Sequence, residues 1–177
     1  MKPITLAIAL TSLVAGASAQ ADWKAQLHKQ LPLMGHRNWI CVVDSAYPLQ
    51  SGQGIETIWT GEDQLSAVKA VMAELKKWKH VQPLVYLDKE LQFVGEKEAP
   101  GVTGYRNALN KILKGAKPTT LLHEDIIKQL DEAGKTFHVI ILKTKLTVPY
   151  TSVFLRLDCG YWGATKEAGL RKKMGGN

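Results

Sequence analysis

Four places in the chain carry side chains able to move protons or hold a polar ligand. Gly35-His36-Arg37-Asn38 stands directly before an apolar run, Trp39 to Val43, and Asp44-Ser45-Ala46-Tyr47-Pro48 directly after it. His123-Glu124 follows Thr119-Thr120-Leu121-Leu122, and Pro149-Tyr150-Thr151-Ser152 comes nearer the C-terminus. A histidine, with an ordinary pKa of about 6.5, can take or give a proton near neutral pH. A carboxylate and a phenol add the acceptors and donors that orient a ligand rich in hydroxyls. Each place also has a plainer reading. His36 is then a loop histidine and Asp44 a turn former. Glu124 and Asp125 then stabilise a helix start, and Tyr150 packs on a sheet.

Other chemistries find no pattern here. The histidines at 28, 36, 80, 123 and 138 are scattered, and Cys41 and Cys159 lack ligand spacing, so no metal site is expected. There is no glycine-rich dinucleotide fingerprint, no phosphate-binding loop and no G-x-S-x-G elbow. What remains is a site without metal or coenzyme, built from His, Asp, Tyr and small polar groups.

The elements that must position these groups can be read from periodicity. Trp23, Leu27 and Leu31 recur at helical spacing, so 23–33 reads as a helix ending at the Gly35-His36 turn. The unbroken apolar run 39–43 suits a strand buried on both faces of a mostly parallel sheet. Residues 48–54 read as loop, and Thr60 to Asp63 as the cap of a helix continuing to Lys77. A strand is expected over 83–87, then a polar loop over 88–104 with room for one short strand. Helices follow over 105–113 and 123–133, with Gly134 as a stop. Strands over 137–142 and 153–157 are joined through Pro149-Tyr150. Alternating strands and helices argue for a three-layer α/β/α fold with a mostly parallel central sheet. In such sheets ligand groups gather just past the C-terminal ends of the strands, where Asp44 falls.

The termini read differently. Lys2 and the apolar run Ile4 to Ala15 precede small residues, so 1–21 reads as a signal peptide cleaved after Ala19 or Ala21. The run is shorter than the roughly 20 residues of a membrane span. Export to a periplasm or beyond is expected, with no membrane contact afterwards. Residues 22–162 form one domain of ordinary size, and 163–177 a loose basic tail rich in Gly and Lys. The formal charge is +7, or +6 without Lys2. The lysines are spread over helices and tail rather than interleaved with aromatics, which argues against nucleic acid. An oxidising compartment permits a Cys41–Cys159 disulfide; Cys41, inside an apolar run, equally reads as a buried thiol.

Taken in order, G-H-x-x before the first strand, D-x-x-x-P after it, Tyr105-Arg106-Asn107-Ala108-Leu109, T-T-x-x-H-E and P-Y-x-x form a collinear set. Together they resemble the D-ribose pyranase and L-fucose mutarotase family over about 27–157. The resemblance implies that fold and a cofactor-free isomerase that interconverts cyclic forms of an aldose such as ribose or fucose. It implies His36 as acid/base group with His123 as a second catalytic histidine facing the sugar, and Asp44, Tyr150, Ser152 and Asn38 binding it. It further implies a homo-oligomeric ring with sites at subunit contacts. Two departures stand out. Asn38 replaces the motif's aspartate, where a neutral amide would orient His36 but stabilise its protonated form less. Ser152 replaces an asparagine. Both leave room for an alternative, a non-catalytic sugar-binding or assembly module on the same fold.

Overall fold

The computed structural model describes residues 22–175, so the segment read as a signal peptide lies outside the described residues. A six-stranded sheet runs through the domain in the order β2-β5-β1-β6-β3-β4. These strands are β1 (Trp39–Val43), β2 (Ile55–Trp59), β3 (Val81–Asp88), β4 (Thr119–Leu121), β5 (Val139–Lys143) and β6 (Val153–Cys159). β1 pairs parallel with β5, β2 with β5, and β3 with β4. β6 runs antiparallel to both β1 and β3. Five strands therefore point one way, and the start of β6 lies at the edge where those five end.

Helices cover both faces, giving the three layers expected. α1 (Trp23–Gln30), α2 (Gln64–Leu75) and α3 (Val102–Ile112) pack on one face. There Leu27, Val68, Val71 and Leu109 meet Ile40, Val42, Ile140 and Leu155. α4 (His123–Gly134) covers the other, with Ile126 and Leu130 against Cys41, Ile141 and Phe154. Alternate residues of β1 and β5 serve opposite cores, which is why both strands read as continuous apolar runs. Ile126 and Leu130 are wholly buried, each worth about 1.5–3 kcal/mol of apolar transfer. Their anchoring fixes the direction of α4 and so the position of His123 at its start.

Several elements differ from the reading of the sequence. β2 and β4 occupy stretches without an expected strand. β2 enters through Gly54, whose N–H donates to the Gly134 carbonyl at 3.1 Å; any side chain at Gly54 would collide with the carbonyls of Gly134 and Phe137. Residues Lys89–Gln92 form a 3₁₀ turn, and α3 begins at Val102 behind Gly101, whose φ of 91° needs a glycine. The tail carries a helix, α5 (Ala164–Lys173), with no buried residue. Both cysteines are free. Cys41 pairs across the ladder with Phe154, five residues before Cys159 on β6, so about 17 Å of strand separates the two thiols' positions. A disulfide allows only about 7 Å between Cα atoms. Cys41 is a buried core thiol, pushed far up in pKa by desolvation. Among the described residues no helix is long and apolar enough to cross a membrane.

Candidate active site

The edge where β1, β3 and β4 end collects most of the residues singled out above. Asp44 follows β1 directly and is half-buried. One of its oxygens accepts the Ala46 N–H at 2.8 Å, so it does form a turn while the other oxygen stays uncommitted to that bond. Val153, first residue of β6, is paired with Val42 on one side and Leu87 on the other. Ser152 therefore enters the sheet between the ends of β1 and β3, and it is buried. Tyr150 precedes it with φ of 57°, a left-handed backbone on a non-glycine residue. That conformation costs roughly 1–2 kcal/mol and needs support.

The support is a buried polar network behind the loop. The Tyr105 hydroxyl donates to the Thr151 carbonyl at 2.6 Å, and the Gln64 side-chain amide donates to the same carbonyl and to the Tyr105 oxygen. The Thr144 hydroxyl lies 3.0 Å from Gln64 Oε1 and 2.9 Å from the Val43 carbonyl. Thr151 donates its own hydroxyl to the Val148 carbonyl at 2.7 Å. Tyr105, part of the Y-R-N-A-L motif, thus acts from behind the site by fixing the loop that carries Tyr150.

His123 opens α4. Its N–H is capped by the Glu90 carboxylate at 3.1 Å, from outside the helix, with Glu124 and Asp125 in the first turn. Its ring lies edge-on to Tyr150, with centroids 5.8 Å apart. Its Nδ1 stands 3.1 Å from Oδ1 of Asp88, the last residue of β3. The Asp88 side chain is wholly buried while that of His123 is 30% exposed. Burial pushes the Asp88 carboxyl up, with Asp44 adding to the rise. The hydrogen bond to Asp88 raises the His123 pKa above its ordinary value. Both shifts favour a proton held between the two.

Asp88 was not singled out in the sequence; standing after Leu87, it read as the first residue of a loop. The one available signal was its place at the end of a buried strand, the same signal that marked Asp44. His36 and Asn38 are not brought to this edge. The five residues of β1, at about 3.3 Å each, hold them some 17 Å away at the opposite edge. His36 is exposed and makes no hydrogen bond among the described residues. The Asn38 amide is committed elsewhere: Oδ1 accepts the Gly35 N–H at 2.7 Å and Nδ2 donates to the His138 carbonyl at 3.2 Å. It shapes the turn and does not touch His36.

This is an α/β/α protein with a polar site at the C-terminal edge of its sheet, where a histidine, two aspartates and a tyrosine converge. No family model matches the chain, and no curated protein sequence does. Solved structures do match it. RbsD of Bacillus subtilis complexed with D-ribose superimposes with a TM-score of 0.51 at 21% identity, over 76% of this chain and 92% of that one. The fucose mutarotase of Streptococcus pneumoniae in complex with L-fucose gives 0.52 at 19%, over 80% and 97%. FucU from Bifidobacterium longum gives 0.51 at 18%, over 76% and 94%. The chain has the fold of these proteins, as its collinear motifs implied.

Proposed function

We propose that this protein is a monosaccharide isomerase of the mutarotase or pyranase kind, acting without cofactor on an aldose such as ribose or fucose. The observation that carries the reading is the gathering of Asp44, His123, Tyr150 and Ser152 at one strand edge, on a fold shared with proteins solved in complex with D-ribose and L-fucose. Interconverting ring forms requires opening the hemiacetal. A base takes the proton of the anomeric hydroxyl while an acid protonates the ring oxygen, and closing on the other face reverses both transfers. Asp44 and Tyr150 offer acceptors and a donor to the remaining hydroxyls, and Ser152 narrows the floor between β1 and β3. The reaction occurs slowly unaided, so a few positioned groups suffice.

His36 can join this chemistry only from a second copy whose N-terminal edge faces this C-terminal edge. A head-to-tail contact of that kind gives a ring when its rotation closes, and a ring is the assembly we propose, with sites at the contacts. Export is part of the proposal and is supported by the apolar run 4–15 and the small residues after it. A second reading, a sugar-binding module without turnover, is favoured by the Asn38 amide being spent on backbone bonds. Saturation-transfer NMR on ribose, fucose and galactose anomers separates the two. Faster exchange that is lost in His123→Ala supports the isomerase. Sugar-dependent shifts without acceleration support the module, and no effect on any of these sugars sinks both.

A further inference from the structure

Asp88 belongs to none of the motifs, yet it is the closest charged partner of His123. Its side chain is sealed from solvent, with Oδ1 on His123 Nδ1 and Oδ2 buried without a hydrogen-bond partner among the described residues. A carboxylate in such a place is tolerated only against a donor, and the Nδ1–H is that donor. With the shared proton on Nδ1, the lone pair of the neutral ring is on Nε2. Tyr150 restrains the ring edge-on, and the partial exposure of the imidazole leaves it open to a ligand. Among the described residues His36 has neither a partner nor a restraint of this kind.

We propose that Asp88 is a positioning residue that makes His123 the principal proton-transfer group of the site, with Nε2 as the working atom. The inference rests on the isomerase reading above. In the step, Nε2 takes the anomeric O–H proton and that oxygen's electron pair forms the carbonyl. The bond from the anomeric carbon to the ring oxygen breaks, and the ring oxygen keeps the pair and takes a proton from water. Closure returns a proton from Nε2 to the anomeric oxygen, and the hydroxide left by that water takes the proton of the ring hydroxyl. The charged and titratable groups facing the imidazole are Asp88 from β3, Glu90 from the 3₁₀ turn, Glu124 from α4 itself and Tyr150 from the last connection. Asp44 bears on Asp88. Partial burial disfavours an imidazolium, and the hydrogen bond with Asp88 and the charges of Asp88, Glu124 and Glu90 outweigh it.

The test is the pH profile of anomer exchange for the unaltered protein, Asp88→Asn, His123→Ala and His36→Ala, together with imidazole ¹⁵N shifts of His123. In Asp88→Asn, kcat should fall by about tenfold or more, bounded above by the roughly 10²–10⁴-fold of general acid–base catalysis, with KM little changed. The acid limb should move to lower pH, because the imidazolium loses its carboxylate. The His123 titration should move the same way, and the unaltered protein should carry its neutral-ring proton on Nδ1. His36→Ala should lose less turnover than His123→Ala. Acceleration that survives Asp88→Asn with an unmoved acid limb overturns this inference alone, as does a neutral-ring proton on Nε2. Absence of acceleration by the unaltered protein overturns the isomerase reading and this inference with it.

Discussion

Replacing Tyr105 by Phe removes one oxygen and keeps the ring, which makes it a sharp probe of what holds the site loop. Tyr105 is buried, and its hydroxyl both donates to the Thr151 carbonyl at 2.6 Å and accepts from Gln64 at 3.2 Å. After the change the carbonyl keeps its Gln64 bond, but the second N–H of that amide is left with only the distant Val42 carbonyl at 3.5 Å. A buried donor without a good acceptor costs about 1–3 kcal/mol. For a domain of this size each kcal/mol lowers Tm by roughly 2–4 °C. The same loss loosens the loop that holds Tyr150 in its left-handed backbone, so sugar affinity should fall with stability. Urea denaturation and sugar titration of one sample read both quantities, with Tyr161→Phe, at an exposed side chain, as a control expected to stay within about 0.5 kcal/mol. An unchanged denaturation midpoint with unchanged affinity would refute the claim that this network positions the site.

Three further outcomes follow from the geometry. Tyr150→Gly relieves the positive φ, so stability should hold or rise by about 1 kcal/mol while sugar turnover falls; a joint loss of both by calorimetry and exchange NMR contradicts this. Glu74 accepts hydrogen bonds from Lys77, His28 and Trp78 and is lowered to a pKa of about 2, so its stabilisation is present above its ordinary value of 4.5 and drains as pH falls toward 2. Glu74→Gln should therefore lower Tm at pH 7 and flatten the acid decline, and identical Tm–pH curves would count against it. If neighbouring copies share a site, mixing His36→Ala and His123→Ala subunits should raise turnover above the average of the two, and mixtures no better than that average exclude sharing.

The fold was legible where one residue pattern had one structural solution. The run 39–43 is apolar at every position, and it became a central strand buried on both faces. The helix read from the cap at 60–63 to Lys77 became α2, with Asp63 as the cap. β2 escaped because Ile55-Glu56-Thr57-Ile58-Trp59 lies against the edge of β5 and is mostly half-buried, a weaker signal beside a Gly-rich loop. β4 is three residues long with two of them exposed, too short for periodicity to register. α5 offers no apolar stripe, since its lysines and Gly169 leave no face to bury. In the site, Asp44 could be found because strand ends are marked in sequence. Asp88 could not be paired with His123, because 35 residues separate them and only the β3–β4 pairing brings α4 to the end of β3. The hydrogen bonding of Asn38 was hidden for the same reason: it donates to the His138 carbonyl, 100 residues away.

The central claim is that an aldose is held and opened at the C-terminal edge of the sheet, against His123. The most direct measurement is a crystal structure with the sugar whose anomer exchange the protein accelerates. The account predicts the anomeric oxygen within hydrogen-bond distance of His123 Nε2, sugar hydroxyls on Asp44 and Tyr150, and His36 present only from a neighbouring copy. A sugar bound away from His123, or an imidazole that meets it through Nδ1 with Asp88 displaced, would contradict it.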